Sequence, residues 1–154
     1  MKLKRLGESK LFVSSIGIGS QFWGAKQSKK EAFGQLDYAT DHGVNFIDTA
    51  EIYPVPYSKK TWGNSEKIIG DWLKNKKIRD KIIIGTKIAG RSSEFPYIRN
   101  GNLKLDNKNI KKFTDESLKR LKTDYIDLLQ LHWPDRSTNF FGKLEYSHDQ
   151  NEKN

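Results

Sequence analysis

Four short apolar segments, at residues 15–19, 44–49, 81–88 and 125–131, are separated by three stretches with the spacing of amphipathic helices. No other feature narrows the fold as far. Phe46-Ile47, Ile82-Ile83-Ile84 and Leu128-Leu129 are continuous apolar runs rather than alternating ones, as expected of strands buried on both faces. Such strands, joined by crossover helices, make a parallel sheet whose functional groups collect at the carboxyl ends of the strands. The 154 residues amount to one domain, enough to bury most of the apolar surface of a compact fold.

Ahead of the repeat, residues 2–6 and 11–15, divided by Gly7-Glu8-Ser9-Lys10, read as a β-hairpin. The first helix opens at Ser28, where serine and Glu31 can satisfy each other's free amides as a capping box. Ala32, Leu36 and Ala39 share its inward face, and Gly43 closes it. The second helix is expected at about 65–76 with Ile68, Ile69, Trp72 and Leu73 inward; the third opens near Asp106 and buries Ile110, Phe113, Leu118 and Leu121. A doubly wound dinucleotide fold would carry Gly-x-Gly-x-x-Gly at its first turn. Here Gly17-Ile18-Gly19 is followed by Ser20-Gln21-Phe22, and no phosphate-binding loop with Gly-Lys-Ser/Thr appears. The architecture that remains is α/β: a partial (β/α)8 TIM barrel of four parallel strands and three helices behind an N-terminal β-hairpin. The expected organisation is a domain over 1–146, with a capping hairpin at 1–15 and βα repeats at 15–133, then a polar, disordered tail at 147–154.

The chain has no cysteine, which excludes disulfides, thiolate metal sites and a cysteine nucleophile. It shows no secretory signal and no run near the roughly 20 apolar residues that span a bilayer, so a cytoplasmic protein without membrane partners is expected. The formal net charge is +9, but the lysines are scattered over helix faces and loops instead of forming a tract, which argues against a nucleic-acid partner. No histidine and carboxylate spacing suggests a metal site. His42 and His148 read as surface residues, and Trp72 as core.

The apolar runs end on ionisable residues: Asp48, with Tyr53 just beyond; Lys87; and His132. Neighbouring parallel strands lie about 4.8 Å apart, so groups at their ends can converge on one small substrate. A phenol is a poor acid near neutrality. Lys87 beside it is expected to stabilise the tyrosinate and lower the Tyr53 pKa, with Asp48 holding the lysine in place and His132 orienting a substrate oxygen. Tyrosine as general acid suits protonation of an oxygen that gains negative charge as hydride reaches its carbon.

The stretch Asp48-Thr49-Ala50-Glu51-Ile52-Tyr53, with Gly63-Asn64-Ser65-Glu66, Thr86-Lys87, and the segment from Leu118 through Asp124-Tyr125-Ile126-Asp127 to Leu131-His132-Trp133-Pro134, resembles the aldo-keto reductase superfamily. Tyr53-Pro54-Val55-Pro56-Tyr57 and Thr138-Asn139-Phe140-Phe141-Gly142 resemble, more narrowly, its bacterial Tas-type subgroup. The resemblance implies NADP(H)-dependent reduction of an aldehyde or ketone, with Tyr53 as proton donor, Lys87 and Asp48 as its tuning pair and His132 orienting the substrate. It also implies that Gly19, Ser20, Gln21 and Asp48 lie near the cofactor, and that Trp133, Trp62 and Phe22 wall the substrate.

A complete barrel has eight strands and typically about 250 residues. The resemblance therefore covers an amino-terminal half, expected to carry the acid–base residues of a truncated reductase without most of the cofactor pocket. Open strand edges would call for self-association or a complementing carboxy-terminal half. The alternative reading is a non-catalytic half-barrel fragment or interaction module.

Overall fold

The computed structural model describes residues 1–136 together with Glu145 and Gln150. The 138–142 motif and the 147–154 tail, apart from Gln150, lie outside the described residues. Strand β1 (Leu3–Arg5) pairs antiparallel with β2 (Phe12–Ser14), with Leu3 opposite Ser14. Asn45 ties this hairpin to the body: its Oδ1 accepts from Ser14 N at 2.7 Å and its Nδ2 donates to Phe12 O at 2.9 Å. There follow β3 (Gly17–Gly19), α1 (Lys29–Asp41), β4 (Phe46–Asp48), α2 (Asn64–Lys76), β5 (Ile83–Ile88), α3 (Asn107–Leu121) and β6 (Leu128–Leu131). Strands β3 to β6 form one parallel sheet in chain order, like successive staves of a barrel.

Local chemistry explains the helix starts. Ser28 Oγ accepts from Glu31 N at 3.2 Å while Glu31 Oε2 accepts from Ser28 N at 2.7 Å, which completes the expected capping box. Asp106 caps α3 by accepting from Asn109 N at 2.9 Å. Ile68, Ile69, Trp72 and Leu73 are all buried, as their spacing predicts, and they pack with Trp23, Leu36, Ile47, Ile84 and Leu121 into the core between sheet and helices. Gly70 allows α2 and α3 to approach closely: a Cβ there would lie 2.4 Å from Arg120 O.

Strand register sorts the side chains. Asp48 is opposite Gly85, Gly85 opposite Leu128, and Lys87 opposite Gln130; with a period of two, these share one face. The other face carries Ile47, Ile84, Thr86 and Ile88, all buried towards the helices. On the same face of β6, however, Leu129 and Leu131 are 41% and 59% exposed. Burial on both faces thus holds for the middle of β5 and not for β6.

Buried ions, which the apolar pattern could not reveal, join these layers. Glu66, fully buried on α2, accepts from Thr86 Oγ1 at 2.7 Å, from Ser117 Oγ at 2.8 Å and from Arg120 Nε at 2.6 Å, linking α2 to β5 and α3. Among the described residues no helix is long and apolar enough to cross a membrane.

Candidate active site

At the carboxyl ends of β4 and β5, Lys87 Nζ donates to Asp48 Oδ2 at 2.6 Å and to Thr49 O at 2.8 Å. Both side chains rise from the same face of the sheet. Tyr53 comes from the loop after β4, but its backbone is pinned on both sides: its N–H donates to Ala50 O at 3.2 Å and its carbonyl accepts from Gly63 N at 2.9 Å. The ring lies with its centroid 5.2 Å from Lys87 Nζ and meets the His132 ring edge-on, centroids 5.8 Å apart. His132 extends β6 by one residue, its N–H donating to Ile88 O at 2.9 Å. All four expected residues therefore gather at one strand-end rim.

The electrostatics differ in one respect from the expectation. The Tyr53 hydroxyl is pushed up to about 12, first by burial, then by the negative charge of Asp48 and the proximity of Tyr57. The lysine does not overcome this, because its ammonium is already bound to a carboxylate and a carbonyl and faces the ring. His132 is pulled down to about 4, by burial first and by Lys87 second, with Asp48 opposing. At neutral pH the rim thus holds a protonated phenol, an ammonium–carboxylate pair and a neutral imidazole.

An aromatic wall flanks it. Trp62 and Trp133 join Tyr53, Tyr57, Phe95 and Tyr97 in one cluster, with His132 and Trp133 rings 5.2 Å apart. Phe22 is not a member; it is 38% exposed with Lys26 over its ring at 5.1 Å. Ser20 is buried, and its N–H and Oγ both reach Asp48 O at 3.0 Å, so it braces β4. Gly19 and Gln21 are exposed beside it, and a Cβ on Gly19 would meet nothing within 4 Å. That open ground beside Asp48 leaves room for a flat group lying against the sheet end.

Sequence reasoning missed Glu51 and Arg99, which are buried behind the rim with Arg99 Nε 3.2 Å from Glu51 Oε1. Glu51 stood inside the quoted motif, and an arginine before Asn100-Gly101 in a loop holding Phe95, Tyr97 and Ile98 was the available signal.

The Aldo/keto reductase family model matches residues 15–150. The chain belongs to this family. An aldo-keto reductase from Bacillus halodurans, solved in a holo form, superposes with a TM-score of 0.67 at 34% identity, over 85% of this chain and 40% of that one. Protein tas of Escherichia coli is 46% identical over 147 residues, which is 96% of this chain and 42% of that protein. Norsolorinic acid reductase B of Dothistroma septosporum is 37% identical over 137 residues, 82% of this chain and 33% of its own length. As an aldo-keto reductase chain, it spans less than half the length of these relatives. The four-strand sheet accordingly corresponds to part of the family's barrel.

Proposed function

We propose that this chain supplies the acid–base part of an NADP(H)-dependent carbonyl reductase site, acting on a small aldehyde or ketone. The observation that carries this reading is the Lys87–Asp48 pair at 2.6 Å with the Tyr53 ring beside it and His132 against that ring. Bound NADPH would supply the hydride. Gly19, Gln21 and Asp48 would lie along it.

Each protein group then has a definite task. Tyr53, held protonated far above neutrality, keeps its proton until an adjacent oxygen becomes basic enough to take it. The ammonium of Lys87 stabilises the tyrosinate left behind, and Asp48 with Thr49 O keeps that ammonium in place. Neutral His132 can donate one hydrogen bond to the substrate oxygen and so orient it towards the phenol. The rings of Trp62 and Trp133 exclude water from the apolar side of the substrate. A cytoplasmic location goes with a reaction that draws on a reduced nicotinamide.

Tyr53→Phe tests the donor assignment directly. The expected result is loss of NADPH-dependent carbonyl reduction by at least about 10²-fold, with an unchanged far-ultraviolet dichroism spectrum. Near-normal turnover in the folded variant would reverse the assignment. Saturable quenching of tryptophan fluorescence by NADPH tests cofactor binding by this chain itself.

A second reading, assembly rather than chemistry, is favoured by the adjacent exposed Leu129 and Leu131 on the helix side of β6. Such a strip suits a complementing half barrel or a second copy. Light scattering on the purified chain tests the second-copy form, and a stable monomer would weigh against self-assembly.

A further inference from the structure

We propose that Glu51 and Arg99 are positioning residues: together they clamp the backbone of Ala89 and thereby fix the active-site end of β5 against His132 and Trp133. The proposal rests on the reductase reading of that rim.

The geometry is specific. Glu51 Oε2 accepts from Ala89 N at 2.9 Å, and Arg99 Nη2 donates to Ala89 O at 2.5 Å, so side chains rather than a neighbouring strand hold both polar groups of this residue. Glu51 N also donates to Lys87 O at 2.9 Å. The clamp therefore grips β5 on both sides of Ile88, whose carbonyl receives His132 N. One residue further on, a Cβ on Gly90 would lie 2.8 Å from Trp133 Nε1, and that nitrogen donates to Arg91 O at 3.0 Å. Residues 87–91 thus touch every element of the rim, and Ala89 is their midpoint.

The clamp is costly in itself, which points away from a role in bulk stability. Glu51 and Arg99 side chains are 0% exposed, their 3.2 Å approach lacks hydrogen-bond alignment, and buried ion pairs seldom outdo apolar packing of equal volume. Arg99 also has φ +46, followed by Asn100 at +59 and Gly101 at +78, a run of left-handed backbone that is strained for the first two residues. That run turns the guanidinium inward.

The test uses the whole chain without cofactor or substrate. The double variant Glu51→Gln/Arg99→Met removes both charges at similar volume, so it should fold. His132, faced by Lys87 and Asp48, is the reporter; Glu51 is faced by Arg99, Arg120 and Glu66. Followed by NMR, the His132 midpoint should rise from about 4 towards 6.5 by about one unit as the rim loosens and water enters. An unmoved midpoint in the folded double variant would overturn the proposal, because a merely structural pair would leave His132 where it is. A variant that fails to fold hands the decision to the wild type. There, Ala89 N–H exchange as slow as that of Ile88 supports the clamp, and exchange at the rate of exposed loop amides overturns it. Neither readout depends on reductase activity, so the clamp and the reductase reading can fail separately.

Discussion

Gly85 stands directly opposite Asp48 on the neighbouring strand, and Lys87, two residues further along the same face, reaches that carboxylate at 2.6 Å. The Phe46 ring packs against Gly85, with two of its carbons 3.3 Å from where a Cβ would sit and Gln130 Nε2 at 3.4 Å. A branched side chain has no room there. Gly85→Val is expected to cost about 1–3 kcal/mol in urea unfolding and to displace Lys87. A stability equal to wild type would mean that Phe46 yields freely and that the register does not set the ion pair.

Removing either partner of that ion pair should move His132 in opposite directions. Lys87 disfavours the imidazolium and Asp48 favours it, so Lys87→Met is expected to raise the His132 midpoint and Asp48→Asn to lower it further. Asp48→Asn should also lower the Tyr53 midpoint, since the carboxylate is the second cause of its rise. NMR titration and tyrosinate absorbance read these shifts. A His132 midpoint unmoved in both variants would show that burial alone governs it.

What could be read in advance was what is local or periodic. The Ser28–Glu31 box spans one turn, and the buried face of α2 repeats at helical spacing, so both were legible. Strand limits were overdrawn for a physical reason. The expected strand at 125–131 begins as a ladder only at Leu128, because Asp127 Oδ2 takes Ile84 N at 2.9 Å and pairs with Arg79 at 2.7 Å. Apolar content cannot register that substitution of a side chain for a strand partner. Helices α2 and α3 likewise end on left-handed lysines, Lys77 and Lys122, where glycine is the usual mark. The gathering of Asp48, Lys87 and His132 followed from strand ends being neighbours. The protonation of Tyr53 did not, because desolvation depends on the ring cluster that only the folded chain assembles.

The Glu66 hub shows how much rides on one polar residue whose partner, Arg120, lies 54 residues away. Glu66→Ala strands a guanidinium whose side chain is 11% exposed and leaves Thr86 and Ser117 without their acceptor. A loss of about 3–5 kcal/mol is expected. Thr86→Val and Ser117→Ala each remove one donor and should cost about 1 kcal/mol. The double variant Glu66→Met/Arg120→Met should recover most of the larger loss. Urea midpoints decide, and equal damage in single and double variants would mean that packing rather than the stranded charge sets the cost.

Between pH 7 and 4 two buried groups pull stability in opposite directions. His132 titrates near 4 in the folded chain against an ordinary 6.5, so across that interval the unfolded chain alone binds the proton and acidification destabilises the fold. Glu51 behaves inversely. Burial raises it from 4.5 to about 7 despite Arg99 and the Ala89 amide, so between those values the folded chain alone binds the proton and acidification stabilises. Asp37 and Asp71, held low chiefly by Lys76 and Lys122, add stability that is lost only as pH falls below about 3.8, outside the window. Wild-type stability should therefore be nearly level from pH 6.5 to 4.5. Glu51→Gln removes the compensating group, and its urea midpoint should fall steadily as pH drops through that range. His132→Asn should do the reverse, gaining stability towards acid. Identical slopes in the wild type and both variants would mean that neither group carries the assigned proton.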